Sequence, residues 1–455
     1  MDIVHLPYEL WNIIFECLNI RQQIRFTQIC KTIKDKIFIT DLCNIGKLKI
    51  KLTGDIIKKY PYIKKLDISW NYNIKDQDLV GLNLVELDTS ANPKIKKINH
   101  MTNLKKLNAS ECICGIGDDD LIGLNLIELN ASDNPKIKKI NHMTNLRKLN
   151  AMGLSCGIDN DSLISTFTEG YGVLNLVELN VSWNDKISKI NHMTNLKILK
   201  AAGNKCAIGD ENLDPQLNLY ELDAFDNPKI SKINHMTNLK FLHVGGNSGI
   251  GDINRLNLIE LFACDNPKIK KINHMTNLRK LDASGDCGIG DEDFVSGLNL
   301  YELHAAHNPK IKKINHMINL RVLNAGGNSG IRNEDITQLN LIKLYLYDNP
   351  KINKINHMTN LRILNASSNE CKCAVGDDDL IGLNLFELNA YNNPKIKKIN
   401  HMKPMASNLR ILNASGVHCG IGDNDLIGLN LIELNASYNQ KIKNTIDDEA
   451  VNDQF

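Results

Sequence analysis

The sequence has no strong excess of either charge, few aromatic residues and no long apolar run. Its 455 residues carry 54 Lys and Arg against 52 Asp and Glu, and the formal net charge is +2. A protein dedicated to nucleic acids normally carries a clear basic excess, so we expect no nucleic-acid partner. The first residues, MDIVHLPYELWNIIFECLNIRQQ, mix polar and charged groups among the apolar ones. They therefore predict neither a signal peptide nor a membrane span.

The sequence also lacks the motifs that mark catalytic or metal sites. Its 12 cysteines form no CxxC pair, and there is no GxSxG, phosphate-loop or HExxH motif. In a chain without a secretion signal, such thiols are expected to be reduced and mostly buried. We therefore expect an intracellular, cytoplasmic protein that is not an enzyme and that binds neither a membrane nor a cofactor.

What the sequence does contain is repetition. The segment NPKIKKINHMTNL stands unchanged at 92–104, 134–146 and 266–278, and edited versions follow Asn184, Asn227, Asn308, Asn349 and Asn393. Each block divides into two shorter repeats that begin with Asn-Leu, such as NLKKLNASECICGIGDDDLIGL (103–124) and NLIELNASDNPKIKKINHMT (125–144). Both fit L-x-x-L-x-(L/A/V)-x-x-(N/C), which resembles the leucine-rich repeat. Eighteen such repeats begin between Ile63 and Leu431.

The resemblance implies an α/β repeat solenoid, a leucine-rich-repeat horseshoe over residues 43–440 that is followed by a polar tail at 441–455. Period-two alternation independently predicts a short strand in each repeat, with Leu129 and Ala131 inward and Asn130 and Ser132 outward. The Asn that precedes Pro, as in Asn134, is expected to satisfy backbone groups of the turn. A single repeat cannot bury its apolar face, so the repeats must stack.

The eight His-Met pairs raise the possibility of a metal ladder or a phosphate-binding stripe. Histidines such as His100 and His142 recur on alternate coils, roughly 10 Å apart at the usual strand spacing, which is too far to share a zinc ion. We therefore expect no metal site and interpret His-Met as closing the outer turn. The lysines, such as Lys96 and Lys97, should face acidic residues such as Asp118 on the next coil and form a self-neutralised surface.

Opposite charges are also expected on the outward side of the strands. Glutamates at the third position of one repeat type, such as Glu128, alternate with Lys or Arg at the second position of the other, such as Lys105 and Arg147. We expect these to form cross-strand pairs.

Residues 1–42 depart from the repeat and carry apolar residues at helical spacing. Leu6-Pro7, Glu9-Leu10, Ile14-Phe15, Leu18 and Ile29-Cys30-Lys31 stand in the order found in an F-box, which this segment resembles. The resemblance implies docking on the Skp-type adaptor of a cullin ubiquitin ligase. The implied contact residues are Leu6, Pro7, Leu10, Ile14, Leu18 and Ile24. Where the family commonly has Trp after Cys-Lys, this chain has Ile33.

Two functions remain open for this arrangement. One is a substrate-recognition subunit of a Skp–cullin–F-box ubiquitin ligase; the other is an interaction scaffold whose N-terminal helices only cap the array. The pairing of an F-box with near-perfect repeats rich in Asn, Ile and Lys resembles proteins of giant DNA viruses, which implies action in the host cell cytoplasm.

A client protein is expected on the concave strand face, where some outward residues depart from the repeat consensus. Most repeats place Asn, Asp, Ser or Ala there, but aromatic residues and histidines occur between 220 and 350 and at one later position. Exposed aromatic residues suit a protein-binding hot spot; drift in a tolerant array is the alternative. The candidate client-binding residues are Phe225, His243, Phe262, His304, His307, Tyr345, Tyr347 and Tyr391. Trp70 and Trp183 are expected further out on the same rim.

Overall fold

The computed structural model describes residues 8–29, 37–43, 51–163, 174–294, 298–369, 371–399 and 408–443. Its contacts divide the chain into an N-terminal unit, Met1–Leu219, and a C-terminal unit, Tyr220–Phe455. The helices are α1 Tyr8–Glu16, α2 Ile20–Thr27, α3 Gly54–Lys58, α4 Asp76–Leu79, α5 Asn160–Leu163 and α6 Asp423–Leu426. The described residues also contain short 3-10 helices at Asp118–Leu121, Asp210–Asn212, Asp291–Asp293, Asn333–Asp335 and Asp377–Leu380.

Every described coil contributes one three-residue strand. The N-terminal unit contains β1 Lys65–Asp67, β2 Glu86–Asp88, β3 Lys106–Asn108, β4 Glu128–Asn130, β5 Lys148–Asn150, β6 Glu178–Asn180 and β7 Ile198–Lys200. The C-terminal unit contains β8 Glu221–Asp223, β9 Phe241–His243, β10 Glu260–Phe262, β11 Lys280–Asp282, β12 Glu302–His304, β13 Val322–Asn324, β14 Lys343–Tyr345, β15 Ile363–Asn365, β16 Glu387–Asn389, β17 Ile411–Asn413 and β18 Glu433–Asn435. Within each unit, consecutive strands pair in parallel without offset, as in Leu107 opposite Leu129 and Leu281 opposite Leu303. The predicted solenoid of stacked coils is confirmed.

The core follows the predicted alternation. Leu129 and Ala131 are almost fully buried, as are Ile137, Ile140 and Met143 on the opposite side of the same coil. Asn130 between the two inward residues is half-buried at the surface. Ser132, which was also expected outward, is instead buried, with its hydroxyl donating to the Asn130 Oδ1 at 2.8 Å. Because the next coil repeats the same positions, each coil covers the apolar face of its neighbour.

The Asn that precedes Pro organises the turn after the strand, as predicted. The Asn134 side chain is completely buried, and its Nδ2 donates to the carbonyls of Ala109 (2.6 Å) and Ile116 (3.2 Å) of the preceding coil. Its Oδ1 accepts the Lys136 backbone N–H at 2.9 Å. A single buried amide thereby satisfies three backbone groups that the solenoid would otherwise bury unpaired.

The aspartates on the outer side bond to the backbone of the lysine segment on the next coil. The Asp118 Oδ1 accepts the backbone N–H groups of Lys138 (2.6 Å) and Lys139 (2.8 Å) on the next coil. Asp377 does the same for Lys397 and Lys398. The acidic segment of one coil thus lies against the lysine segment of the next, and its carboxylate accepts lysine backbone N–H groups that lack a partner within their own coil.

Candidate protein-interaction surfaces

The first described helix divides its apolar residues between two faces. Trp11 and Phe15 are buried, with 3% and 6% of their surface exposed. Leu10, Ile13 and Ile14 are exposed, with 44%, 58% and 40% of their surface accessible. Positions separated by three and four residues share one face of a helix, so these three side chains form one apolar patch. We call Leu10, Ile13 and Ile14 the α1 patch.

Helix α2 packs against the buried side of α1. Asn19 caps its start in a capping box with Gln22, in which each side chain accepts from the other residue's backbone N–H at 3.0 Å. Phe26 packs against Phe15, with ring centroids 6.0 Å apart. The buried side of α1 is thus held by an aromatic contact, which leaves the α1 patch facing outward.

The six residues predicted to bind an adaptor fall into three groups. Leu10 and Ile14 lie in the α1 patch. Leu18 lies in the turn after α1, and Ile24 lies in α2; both are half-buried. Leu6 and Pro7 lie outside the described residues, as does Ile33. Sequence reasoning omitted Ile13, although its position between Leu10 and Ile14 at helical spacing was the signal that could have identified it.

A short segment after these helices covers the edge of the first strand. The Thr40 carbonyl accepts the backbone N–H of Lys64 (2.7 Å) and Lys65 (2.9 Å), and the Leu42 N–H donates to the Lys65 carbonyl at 2.9 Å. Leu42 is completely buried. Residues 40–42 therefore satisfy backbone groups of β1 that an open sheet edge would expose.

The strands of the two units present different side chains outward. We use the term strand face for the surface formed by the first and third residues of each strand and by the second residue after the strand. In the N-terminal unit the first strand positions form a ladder of ion pairs, Lys65–Glu86 (3.1 Å), Lys106–Glu128 (3.3 Å) and Lys148–Glu178 (3.4 Å), linked by two longer contacts of 4.0 Å. A shallow groove of about 550 Å³ runs along this ladder.

The ladder corrects one prediction about charge pairing. The lysines in it stand at the first strand position, as Lys106 does, and not one residue earlier, as Lys105 does. Lys105 instead donates from Nζ to the Asn125 carbonyl at 3.3 Å. Arg147 donates from one guanidinium nitrogen to the carbonyls of Thr144 and Leu146. Lys105 and Arg147, which stand one residue before their strands, therefore bond to backbone carbonyls at the strand edge and not to the glutamates.

In the C-terminal unit, aromatic and histidine rings occupy third strand positions, beside the charged first positions. His243 and Phe262, which are opposite each other on β9 and β10, pack with ring centroids 4.2 Å apart and the ring planes tilted by 51°. The Lys280 Nζ lies 5.2 Å from the Phe262 ring centroid and 3.1 Å from the Glu302 carboxylate. Together with His304 these residues form a connected group that we call the His–Phe cluster.

The charged end of the His–Phe cluster is tightly bonded. The His304 Nε2 lies 2.6 Å from the same carboxylate oxygen of Glu302 that Lys280 contacts. Burial opposes ionisation of Glu302, but the hydrogen bonds from His304 and Lys280 outweigh it and lower the pKa of this carboxyl group. Lys280 and Glu302 were not among the predicted client-binding residues. The regular strand register, which places them beside Phe262 and His304, was the signal that could have identified them.

Two further aromatic residues lie over glycines of a neighbouring coil. A Cβ atom at Gly326 would overlap the ring of Tyr347, and one at Gly327 would overlap the ring of His307. The His307 and Tyr347 ring centroids are 6.0 Å apart. Burial raises the pKa of the Tyr347 hydroxyl, although a hydrogen bond with the Asn324 side chain opposes the shift. The Gly326–Gly327 pair therefore provides the space that these rings occupy.

The remaining predicted client residues lie on the same strand face without forming a closed pocket. Phe225 is exposed and lies next to Gly245. Tyr345 ends β14 and is half-buried, as is Tyr391, the second residue after β16. Trp70 and Trp183 are exposed in the N-terminal unit, with 63% and 41% of their surface accessible.

The repeated histidines bond to backbone on the outer side of the coils. The Nε2 atoms of His142, His274 and His357 lie 3.0–3.3 Å from a carbonyl oxygen of the adjacent coil. Burial lowers the pKa of His192. These contacts support the interpretation that His-Met closes the outer turn. Within the described ranges, no three His, Cys, Asp or Glu side chains are grouped closely enough to hold a metal ion.

The described cysteines range from exposed to buried, with Cys43 and Cys264 half-buried. Cys17, Cys112 and Cys371 are exposed. Burial raises the pKa of Cys287 to about 12 and that of Cys156 to about 11. The Sγ of Cys156 donates to the Ala131 carbonyl at 3.4 Å, so this thiol acts as a small core residue with a hydrogen bond.

Comparison with known proteins gives one family match and several similar solved structures. Residues 3–43 match the profile of the F-box domain. No curated protein matches the chain with significance. An internalin from Listeria monocytogenes is 18% identical, covers 80% of this chain and 93% of its own, and has a TM-score of 0.35. The leucine-rich-repeat protein LIC12759 of Leptospira interrogans is 19% identical, with coverages of 85% and 96% and a TM-score of 0.39. A chain in the TLR13–ssRNA13 complex is 16% identical, with coverages of 90% and 62% and a TM-score of 0.48.

The parallel strand register and the buried leucines show a leucine-rich-repeat solenoid, and residues 3–43 at its N-terminal side match the F-box domain. In the part of the chain that the structure describes, no helix is long and apolar enough to cross a membrane.

Proposed function

We propose that this chain is a non-catalytic substrate-recognition subunit of a Skp–cullin–F-box type ubiquitin ligase. The observation that supports this most directly is the α1 patch, which lies within the segment that matches the F-box domain. An apolar patch of three large side chains on one short helix is costly to leave in water and suits a partner surface. The Skp-type adaptor would cover it, and the F-box resemblance adds Leu6, Pro7, Leu18 and Ile24 as contact residues.

The strand face of the C-terminal unit is the proposed client site. Aromatic side chains bury large areas at interfaces with little loss of conformational entropy, and they dominate measured hot spots. The His–Phe cluster, Phe225, Tyr345, Tyr347 and Tyr391 supply such side chains, whereas the strand face of the N-terminal unit is filled by ion pairs. Holding a client here would raise the local concentration of its lysines at the ligase.

Binding of the purified chain to a Skp-type adaptor tests the first part. We expect Ile13→Glu with Ile14→Glu to abolish binding, because two carboxylates would be buried without partners at the interface. Ile122→Glu is a matched control, since this Ile is 61% exposed on a coil of the solenoid. Undiminished binding by the double variant would exclude the α1 patch as the docking surface.

The alternative function is an interaction scaffold whose helices serve as a cap. The pairing of residues 40–42 with β1 bears on it, because the backbone edge of β1 is covered by that segment and not by α1. Capping therefore does not explain why the α1 patch is exposed. Failure of the unaltered chain to bind any Skp-type adaptor would favour the scaffold.

The client site is tested by comparing neighbours in the native cell. We expect the double variant Phe262→Ala with Tyr345→Ala to lose specific partners in a proximity-labelling experiment. The control variant Trp70→Ala, in the N-terminal unit, should retain them. The melting temperature of both variants should change little, because these side chains are at the surface. Equal partner recovery from the two variants would remove the proposal.

The Asn-, Ile- and Lys-rich composition supports a giant-virus origin, and a tagged chain would then be located in the host cytoplasm.

A further inference from the structure

The residues that precede the strands of the C-terminal unit alternate between a basic residue, which is arginine except at Lys240, and a large apolar or aromatic residue. Along four consecutive coils the order is Arg279, Tyr301, Arg321 and Ile342. Arg279 and Tyr301 are exposed, and Arg321 is half-buried. Between the two arginines lies a cleft of about 290 Å³ that is lined by Arg279, Asn299, Tyr301, Asn319 and Arg321, which we call the Arg–Tyr cleft.

The two guanidinium groups are held in place by backbone. One terminal nitrogen of Arg279 donates to the carbonyls of Thr276 (3.1 Å) and Leu278 (3.1 Å), and the corresponding nitrogen of Arg321 donates to Ile318 and Leu320 (2.8 Å each). The Asn319 Nδ2 donates to the Asn299 Oδ1 at 2.8 Å and closes the floor between them. Fixing the side chains in advance reduces the entropy that a ligand must remove on binding.

Neither arginine is neutralised within the described residues. The hydrogen bonds of Arg279 and Arg321 go to carbonyl oxygens, and no carboxylate lies within ion-pair distance of either among the parts of the chain that the structure describes. The segments MTNLR (275–279) and MINLR (317–321), which lead into these strands, contain no acidic residue. A guanidinium has five donors in a planar fork, so each arginine retains donors for a carboxylate.

We propose that the Arg–Tyr cleft binds an extended acidic segment of a protein partner, with one carboxylate on each arginine and the chain crossing Tyr301. Arg279 and Arg321 are two coils apart, roughly 10 Å at the usual strand spacing. A polyproline II chain rises about 3.1 Å per residue with three residues per turn, so side chains three residues apart share a face about 9 Å apart. An acidic residue at every third position therefore matches the arginines. This site does not depend on adaptor docking or on the His–Phe cluster.

Fluorescence polarisation with the full chain tests the proposal. The probe is a labelled peptide of repeated Glu-Pro-Pro, and the reference peptide has the same residues with the glutamates in one block. At about 50 mM salt, where surface charges are weakly screened, we expect the spaced peptide to bind more tightly. Arg279→Gln with Arg321→Gln should weaken its binding about tenfold, in line with the loss of two exposed ion pairs. Equal affinity for the two peptides would overturn the proposal.

Matched variants separate this site from general charge attraction. Arg147→Gln removes the corresponding arginine of the N-terminal unit, whose neighbours Ile127 and Val177 are aliphatic, and should leave the affinity unchanged. Tyr301→Ala removes an exposed ring and should weaken binding several-fold even if the double arginine variant does not fold. An equal loss with Arg147→Gln, or tighter binding of a single-stranded RNA of the same charge than of the spaced peptide, would contradict an acidic-peptide site.

Discussion

The strand faces of the N-terminal and C-terminal units are built on the same backbone but differ in what their side chains do. In the N-terminal unit, Lys106 contacts both Glu86 and Glu128, so the outward charges are satisfied by one another. In the C-terminal unit, Phe262 and His304 take third strand positions that asparagine holds in β4 and β5. The first arrangement leaves little for a partner to gain, because its polar groups already have partners.

The difference shows which constraints belong to the solenoid and which do not. The central leucine of the strand and the Asn of the turn are the same in both units, as in Leu129 with Asn134 and Leu303 with Asn308. The outward positions are free to change because a change there does not alter the core of the coil. Departures from the repeat on the strand face are therefore where a function other than stacking can be encoded.

Loss of the turn asparagine should give the largest effect and should be equal in the two units. Asn134→Ala and Asn308→Ala each leave two carbonyls and one N–H buried without a partner, and we expect each to reduce the free energy of unfolding by about 3 kcal/mol. Urea unfolding measures this. Asn103→Ala is a control on the exposed edge and should cost about 0.5 kcal/mol or less. A large difference between the two turn variants would show that the units do not share one scaffold.

An intermediate effect is expected where an aromatic residue lies over glycine. Gly326→Ala should reduce the free energy of unfolding by about 2 kcal/mol, because the added methyl group overlaps the Tyr347 ring. Tyr347→Ala in the same chain should restore most of the loss, since all three of the atoms nearest to that methyl group belong to this ring. Thermal unfolding of the two single variants and the double variant gives the coupling. Additive losses would mean that the backbone, not the ring, requires glycine here.

The sequence predicted the elements that depend on periodicity. Alternation placed Leu129 and Ala131 in the core, and the chemistry of an amide correctly assigned Asn134 to the backbone of the turn. Both predictions needed only the spacing within one coil and the fact that identical coils stack. The eighteen strands of the described chain, seven in one unit and eleven in the other, follow from the same count.

The features that were not predicted from the sequence depend on which way a side chain points in the folded chain. Lys105 and Lys106 are both basic, and only the parallel register shows that Lys106 faces the glutamates while Lys105 turns to a carbonyl at the strand edge. Likewise, α1 has apolar residues on two faces, and the packing of Phe15 on Phe26 decides that Ile13 is exposed. Spacing groups Ile13 with Leu10 and Ile14, but only the tertiary packing decides which face of α1 is buried.

The smallest effect is expected for the ion-pair ladder, and it tests how far self-satisfied charges stabilise the N-terminal unit. Lys106→Met removes the cation between Glu86 and Glu128 and leaves the two carboxylates without it. About half of the Lys106 side chain is exposed, so water and salt screen the pair and we expect a loss of about 0.5 kcal/mol. The loss should disappear in about 1 M salt, where the screening length is only about 3 Å. A loss that persists at high salt would instead indicate that the lysine stem contributes by packing, and the ladder would then resemble the aromatic surface of the C-terminal unit in its physical basis.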